Sequence, residues 1–74
     1  MRKYILTNTT NKKFKQLENK ECEFLYSGGG TTMHFPNESI QTSRVLKIEV
    51  NQENRNIYIK TKNSEYFLER VNNE

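Results

Sequence analysis

The feature that most restricts the fold is a period of two in three successive runs, Arg44–Val50, Asn56–Lys62 and Glu65–Val71. Alternating apolar and polar residues mark strands with one buried and one exposed face. Leu46, Ile48 and Val50 alternate with Lys47 and Glu49. Ile57 and Ile59 alternate with Tyr58, Lys60 and Lys62, and Tyr66 and Leu68 with Glu65, Phe67 and Glu69. Asn63-Ser64 lies between the last two runs and suits a two-residue hairpin turn, because Asn tolerates positive φ. That turn predicts Lys62 opposite Glu65, Lys60 opposite Phe67 and Tyr58 opposite Glu69. On the other face it predicts Thr61 against Tyr66 and Ile59 against Leu68. A slip of one residue would turn the lysines inward. The polar stretch from Asn51 to Asn56 reads as a longer loop. Closed by those two asparagines, it sets Val50, Ile48 and Leu46 opposite Ile57, Ile59 and Thr61. The C-terminal part is thus expected to be a three-stranded meander with one apolar face.

The N-terminal half offers shorter signals. Tyr4-Ile5-Leu6 predicts a strand over Lys3–Thr7, followed by a polar loop to Lys13. Phe14 and Leu17, three apart, fit a helical turn within residues 12–19, with Asn11 as N-cap; an irregular plug for one end of a barrel fits equally. Cys22, Phe24 and Tyr26 share one side of Glu21–Tyr26, and Met33 and Phe35 one side of Thr31–Phe35. A four-residue loop, Ser27-Gly28-Gly29-Gly30, would set Phe24 against Met33 and Cys22 against Phe35. Pro36–Ser39 reads as a turn, since Pro cannot donate to a ladder, and Ile40 is expected inside. The expected fold is all-β: five to six short strands forming a small barrel or a strongly curved antiparallel sheet. Residues 1–71 are expected to form one domain, with 72–74 a frayed tail.

A chain of 74 residues buries a limited core, so a homodimer that adds core stays open. The sequence contains no Ala, which weighs against helix, and no Asp, a common metal ligand and catalytic acid. The single cysteine, Cys22, excludes an internal disulfide and fits a reducing compartment. The apolar run after Met1-Arg2-Lys3 is too short for a signal peptide, and no segment approaches membrane-spanning length. A soluble cytoplasmic protein is expected. Charge is uneven: residues 1–15 carry Arg2, Lys3, Lys12, Lys13 and Lys15 and no acid. Such a basic end is a weak signal of nucleic-acid or nucleotide binding; solvated lysines that keep a small protein soluble are the favoured reading.

Three groups of residues could carry function. Gly28, Gly29 and Gly30 invite a phosphate-loop reading, but that motif needs a helix and a Lys-Ser/Thr pair after it, and here Thr31-Thr32 lead into a strand. What stays open is a flexible hairpin loop, or a loop whose N–H groups hold an anion or touch a partner. Cys22 and His34 could be nucleophile and base, but the favoured register points them to opposite faces and no third residue orients the imidazole. One Cys and one His cannot complete a four-ligand zinc site, so no metal or cofactor is expected. Tyr58, Lys60, Lys62 and Phe67 share the outer face of the last hairpin. Aromatics among lysines on a sheet suit single-stranded nucleic acid, or a protein interface with rings inside and charges at the rim. They also suit simple cross-strand pairing, with Glu65 and Glu69 neutralising the lysines.

The succession Ile40-x-Thr42-Ser43, Val45-x-x-Ile48 and Ile57-x-Ile59-x-Thr61-x-Asn63-Ser64-x-Tyr66-x-Leu68 resembles a pattern in small, functionally unassigned β proteins of phages and mobile elements. It covers less than half the chain and is structural, carrying no catalytic residue. The resemblance implies an origin in a phage of a low-GC bacterium. Accessory proteins from that source often bind and inhibit a host protein, defence systems included. The expectation is therefore a non-enzymatic binding module acting on a host protein, with a nucleic-acid or nucleotide binder as the alternative.

Overall fold

The computed structural model describes residues 3–71. Arg2, the first member of the basic cluster, and the 72–74 tail lie outside the described residues. The described chain is one seven-stranded antiparallel sheet with a single short helix. The strands are β1 (Lys3–Thr9), β2 (Glu21–Ser27), β3 (Gly30–His34), β4 (Ser39–Gln41), β5 (Val45–Val50), β6 (Ile57–Thr61) and β7 (Glu65–Arg70). Their order is β4-β3-β2-β1-β7-β6-β5. The meander joins the rest through β1, which pairs with both β2 and β7. The seventh strand is β4. Its three residues bury only Ile40, too short a run for alternation to announce it.

β4 and β5 are opposite ends of the order, yet only Thr42, Ser43 and Arg44 connect them. Laid flat, seven strands at ~4.8 Å spacing would hold those edges about 29 Å apart. The connection reaches at most about 14 Å. The sheet must therefore curl strongly, and cross-edge bonds record that curl. The Val45 N–H donates to the Gly29 carbonyl at 2.9 Å, and the Asn63 side-chain amide donates to Ser43 Oγ at 2.8 Å. No ladder joins β4 to β5, so the sheet is curved but not closed.

The concave side holds the core: Tyr4, Leu6, Leu17, Cys22, Met33, Phe35, Ile40, Ile57, Ile59, Tyr66 and Leu68. Lys12–Leu17 forms a 3-10 helix that caps it. With three residues per turn, that helix stacks Phe14 over Leu17; Leu17 is buried and Phe14 packs against the core. Asn11 is its N-cap, accepting from the Lys13 N–H at 2.9 Å. The alternative of an irregular plug is not what forms.

The turns depart from expectation in instructive ways. Gly28 and Gly29 alone make the β2–β3 turn, with φ of 64° and 81°, and Ser27 pairs with Gly30. The expected Phe24–Met33 register is present. Pairing stops at Glu23–His34, so Phe35 lies beyond the strand and does not face Cys22 in the ladder. Tyr26 follows the parity of Phe24 but sits at the hairpin tip, exposed. Asn51 and Asn56 close the β5–β6 loop as expected, with the Asn51 N–H donating to the Asn56 carbonyl. The Asn51 side chain accepts from the N–H groups of Glu53 and Asn54.

The β6–β7 register is corrected by two residues. Lys60 pairs with Glu65, Ile59 with Tyr66, Tyr58 with Phe67 and Ile57 with Leu68. The expected partners of Lys62, Lys60, Tyr58, Thr61 and Ile59 are therefore all displaced. Lys62, Asn63 and Ser64 form the connection instead of Asn63-Ser64 alone, because the buried Thr61 hydroxyl at the end of β6 organises it. It donates to the Ser64 carbonyl and accepts from the Ser64 N–H, both at 3.0 Å. A shift of two leaves every side chain on its expected face.

Two bulges break the parity. One lies between Val45 and Lys47. Val45 takes the place opposite Thr61, and Leu46, expected inside, is 60% exposed. The other, at Thr7 between Leu6 and Asn8, lets both Leu6 and Thr9 point inward, each fully buried. It extends β1 past the predicted end. Thr9 is held there by three bonds: its N–H donates to Glu18 Oε2, its hydroxyl donates to the Glu65 carbonyl, and the same hydroxyl accepts from the Asn11 N–H.

Candidate functional site

The outer face of the meander carries the most developed side-chain arrangement. Tyr58 and Phe67 stand directly opposite on β6 and β7, their rings 5.0 Å apart and tilted by 39°. Both are half-buried. Aromatic cross-strand pairs prefer such offset or tilted geometry. The corrected register creates this pair. In the expected one, Tyr58 would have faced Glu69 and Phe67 would have lain under Lys60.

Carboxylates surround the rings. Glu65 Oε2 accepts from the Tyr58 hydroxyl at 2.8 Å, and Glu49 is the β5 residue directly opposite Tyr58. The bond to Glu65 pushes the Tyr58 phenol above its ordinary value, and the charges of Glu65 and Glu49 push the same way. Glu69 and Thr7 complete the rim of an open groove of about 800 Å³, which Tyr58, Phe67 and the half-exposed Val50 also line. Among the described residues no lysine or arginine lines it.

The two lysines of the expected site are distributed differently. Lys60 is exposed, opposite Glu65 on one side and Lys47 on the other. Lys62 is not on the ladder; it belongs to the turn, where its N–H donates to the Arg44 carbonyl. Tyr58, Phe67 and Lys60 are thus brought together, and Lys62 is set apart. Sequence reasoning overlooked Glu49 as a member of the face. Its alternation with Ile48 and Val50 was the available signal.

The other candidates separate. Gly28 and Gly29 are exposed in the turn, but the Gly29 carbonyl accepts from Val45 and Gly30 is in the ladder. The shallow depression beside them, about 200 Å³, is lined by Leu25, Ser27, Thr31, Thr32, Gln41 and Thr42 among others, without a cation. Cys22 is buried on the concave side, where loss of solvation pushes its thiol up to about 11. His34 is exposed, with Nδ1 2.7 Å from Ser39 Oγ. Both line a depression of about 230 Å³ with Lys3, Glu21, Glu23, Phe35 and Pro36, but the His34 ring is bonded to Ser39 and not to the thiol. Of the basic residues, Lys12 and Lys13 are exposed at the start of the 3-10 helix. Lys15 lies 3.1 Å from Glu18, and Lys3 lies 3.9 Å from Glu21. Among the described residues no cluster of His, Cys or Glu could hold a metal ion, and no helix is long and apolar enough to cross a membrane.

No family model matches the chain, and neither a curated protein nor a solved structure is significantly similar to it.

Proposed function

We propose that the chain is a non-enzymatic binding module that docks on another protein through the Tyr58–Phe67 face. The carrying observation is the pair of half-exposed rings beside an open groove, flanked by Glu49, Glu65 and Glu69. Aromatic residues at the centre with charges at the rim are the composition of protein interfaces, and anchors of this type carry most of the binding energy. The carboxylates favour a partner surface bearing Lys or Arg, since a cation can sit over a ring and pair with an acid at once. The resemblance to small, functionally unassigned β proteins of phages and mobile elements favours a host protein as the partner, with modulation or inhibition as the outcome.

Nucleic acid is the weaker reading. The same carboxylates repel phosphate, and Lys15 and Lys3 each have an acid nearby. A barrel-type nucleotide binder would in addition need the sheet to close between β4 and β5.

The test is capture from host lysate by the immobilised chain beside a Tyr58→Ala/Phe67→Ala variant, whose strand content is first verified by circular dichroism. A protein held by the parent and lost by the variant supports the reading. Equal capture by a folded variant overturns it. Retention of DNA or RNA that falls steeply with salt would favour the alternative.

A further inference from the structure

The outer edge of β5 is an unpaired strand edge whose residues are self-complementary. Among the described residues β5 has only β6 as a ladder neighbour. Along β5–β6, the Asn51 N–H bonds to the Asn56 carbonyl. In an antiparallel ladder, residues alternate between those whose backbone groups point to the partner strand and those whose groups point away. Asn51, Glu49 and Lys47 therefore face β6, and the N–H and C=O groups of Ile48 and Val50 project from the sheet. Among the described residues the only bond recorded from β5 across this edge is that of Val45 to Gly29, at its N-terminal end. Apolar surface goes with the free groups: Leu46 is 60% exposed and Val50 44% exposed. Exposed edges of this kind recruit another strand unless something prevents it.

We propose that this edge pairs with the same edge of a second copy, antiparallel, about a two-fold axis at Ile48. In that register Ile48 faces Ile48 of the other copy once, on the axis, while Leu46 faces Val50 and Lys47 faces Glu49, each of these two pairs occurring twice. An isologous contact requires self-complementarity of this form. Neighbouring registers that keep the free backbone groups aligned are shifted by two. One sets Lys47 against Lys47, the other Glu49 against Glu49, and like charges directly opposite are destabilising. The charged side chains thus select one register and oppose open-ended stacking.

The isolated chain also leaves a charge imbalance that the pairing relieves. Lys47 lies opposite Lys60 within the sheet and, among the described residues, is paired with Glu49 of its own strand, at 3.1 Å. The second copy brings another carboxylate to Lys47. The ladder spans about five residues, so association is modest and depends on concentration. It extends the outer face across the axis and places two Tyr58–Phe67 pairs on one surface.

Light scattering in line with gel filtration, and sedimentation velocity, test this on the intact chain. The parent is expected to shift from monomer to dimer with rising concentration. Lys47→Glu and Glu49→Lys are each expected to remain monomeric, because each makes both cross-axis charge pairs alike in sign. Mixed in equal amounts, the two variants are expected to form a heterodimer, since every cross-axis pair is then opposite in charge. Circular dichroism checks that each variant keeps its strands; both positions are exposed. A parent that stays monomeric up to about 1 mM overturns the proposal. So does a dimer that both single variants retain, or a pair of monomeric variants that fail to associate when mixed.

Discussion

Leu46 and Leu68 allow the same truncation at two positions that alternation alone places in the core. Leu68 is 2% exposed and pairs with the fully buried Leu6 across β1–β7. Leu68→Ala removes buried methyl groups and leaves a cavity, which costs about 2–5 kcal/mol. A chain of 74 residues has a total stability of roughly 4–11 kcal/mol, so the variant is expected to be partly unfolded or to melt at least ~10 °C lower. Leu46 is displaced by the bulge and 60% exposed. Its truncation should cost less than about 1 kcal/mol. The assay is urea denaturation followed by far-ultraviolet circular dichroism, at micromolar concentration so that self-association does not contribute. A Leu46→Ala cost equal to that of Leu68→Ala would refute the bulge and return β5 to strict alternation.

Two further outcomes follow from the titrating groups. The Cys22 thiol, pushed up to about 11 by burial, should carry about 100-fold less thiolate at pH 8 than an ordinary cysteine. Alkylation by iodoacetamide should be slow in the native chain and fast in urea; rapid native labelling would contradict its burial. Glu18 is held below the ordinary carboxylate range, first by the Thr9 N–H and then by Lys15. Its contribution to stability is therefore complete above the unfolded value of 4.5 and lost as pH falls through the lower folded value. Glu18→Gln should flatten the fall in melting temperature between about pH 5 and pH 2; an unchanged acid slope would refute the tie to Thr9.

What could be read from the sequence was what depends on parity. Ile57, Ile59, Tyr66 and Leu68 are buried, and Lys60 is exposed. The asparagine chemistry at Asn11, Asn51 and Asn56 was legible too, because a short amide at a helix start or loop end has few other uses. Register was legible where Asn51 and Asn56 close the β5–β6 loop, setting Val50 against Ile57 and Ile48 against Ile59, but not in the β6–β7 hairpin. Pairings that differ by two residues leave the same side chains on the same faces, and the choice falls to the bonds of one threonine hydroxyl, Thr61. Bulges were likewise invisible, since an extra residue at Thr7 or Leu46 looks like a continuing strand. The candidate site shows both effects. Its face was legible in Tyr58, Lys60 and Phe67, but the contact between the two rings and the removal of Lys62 to the turn depend on the β6–β7 register; Glu49 opposite Tyr58 was already implied by the expected β5–β6 register and was overlooked.

The most direct measurement is a nuclear Overhauser spectrum of the meander. The account predicts strong contacts between the ring protons of Tyr58 and Phe67, and backbone contacts pairing Lys60 with Glu65 and Ile59 with Tyr66. Contacts that instead join Lys60 to Phe67 and Tyr58 to Glu69 would dissolve the aromatic pair and remove the docking face with it.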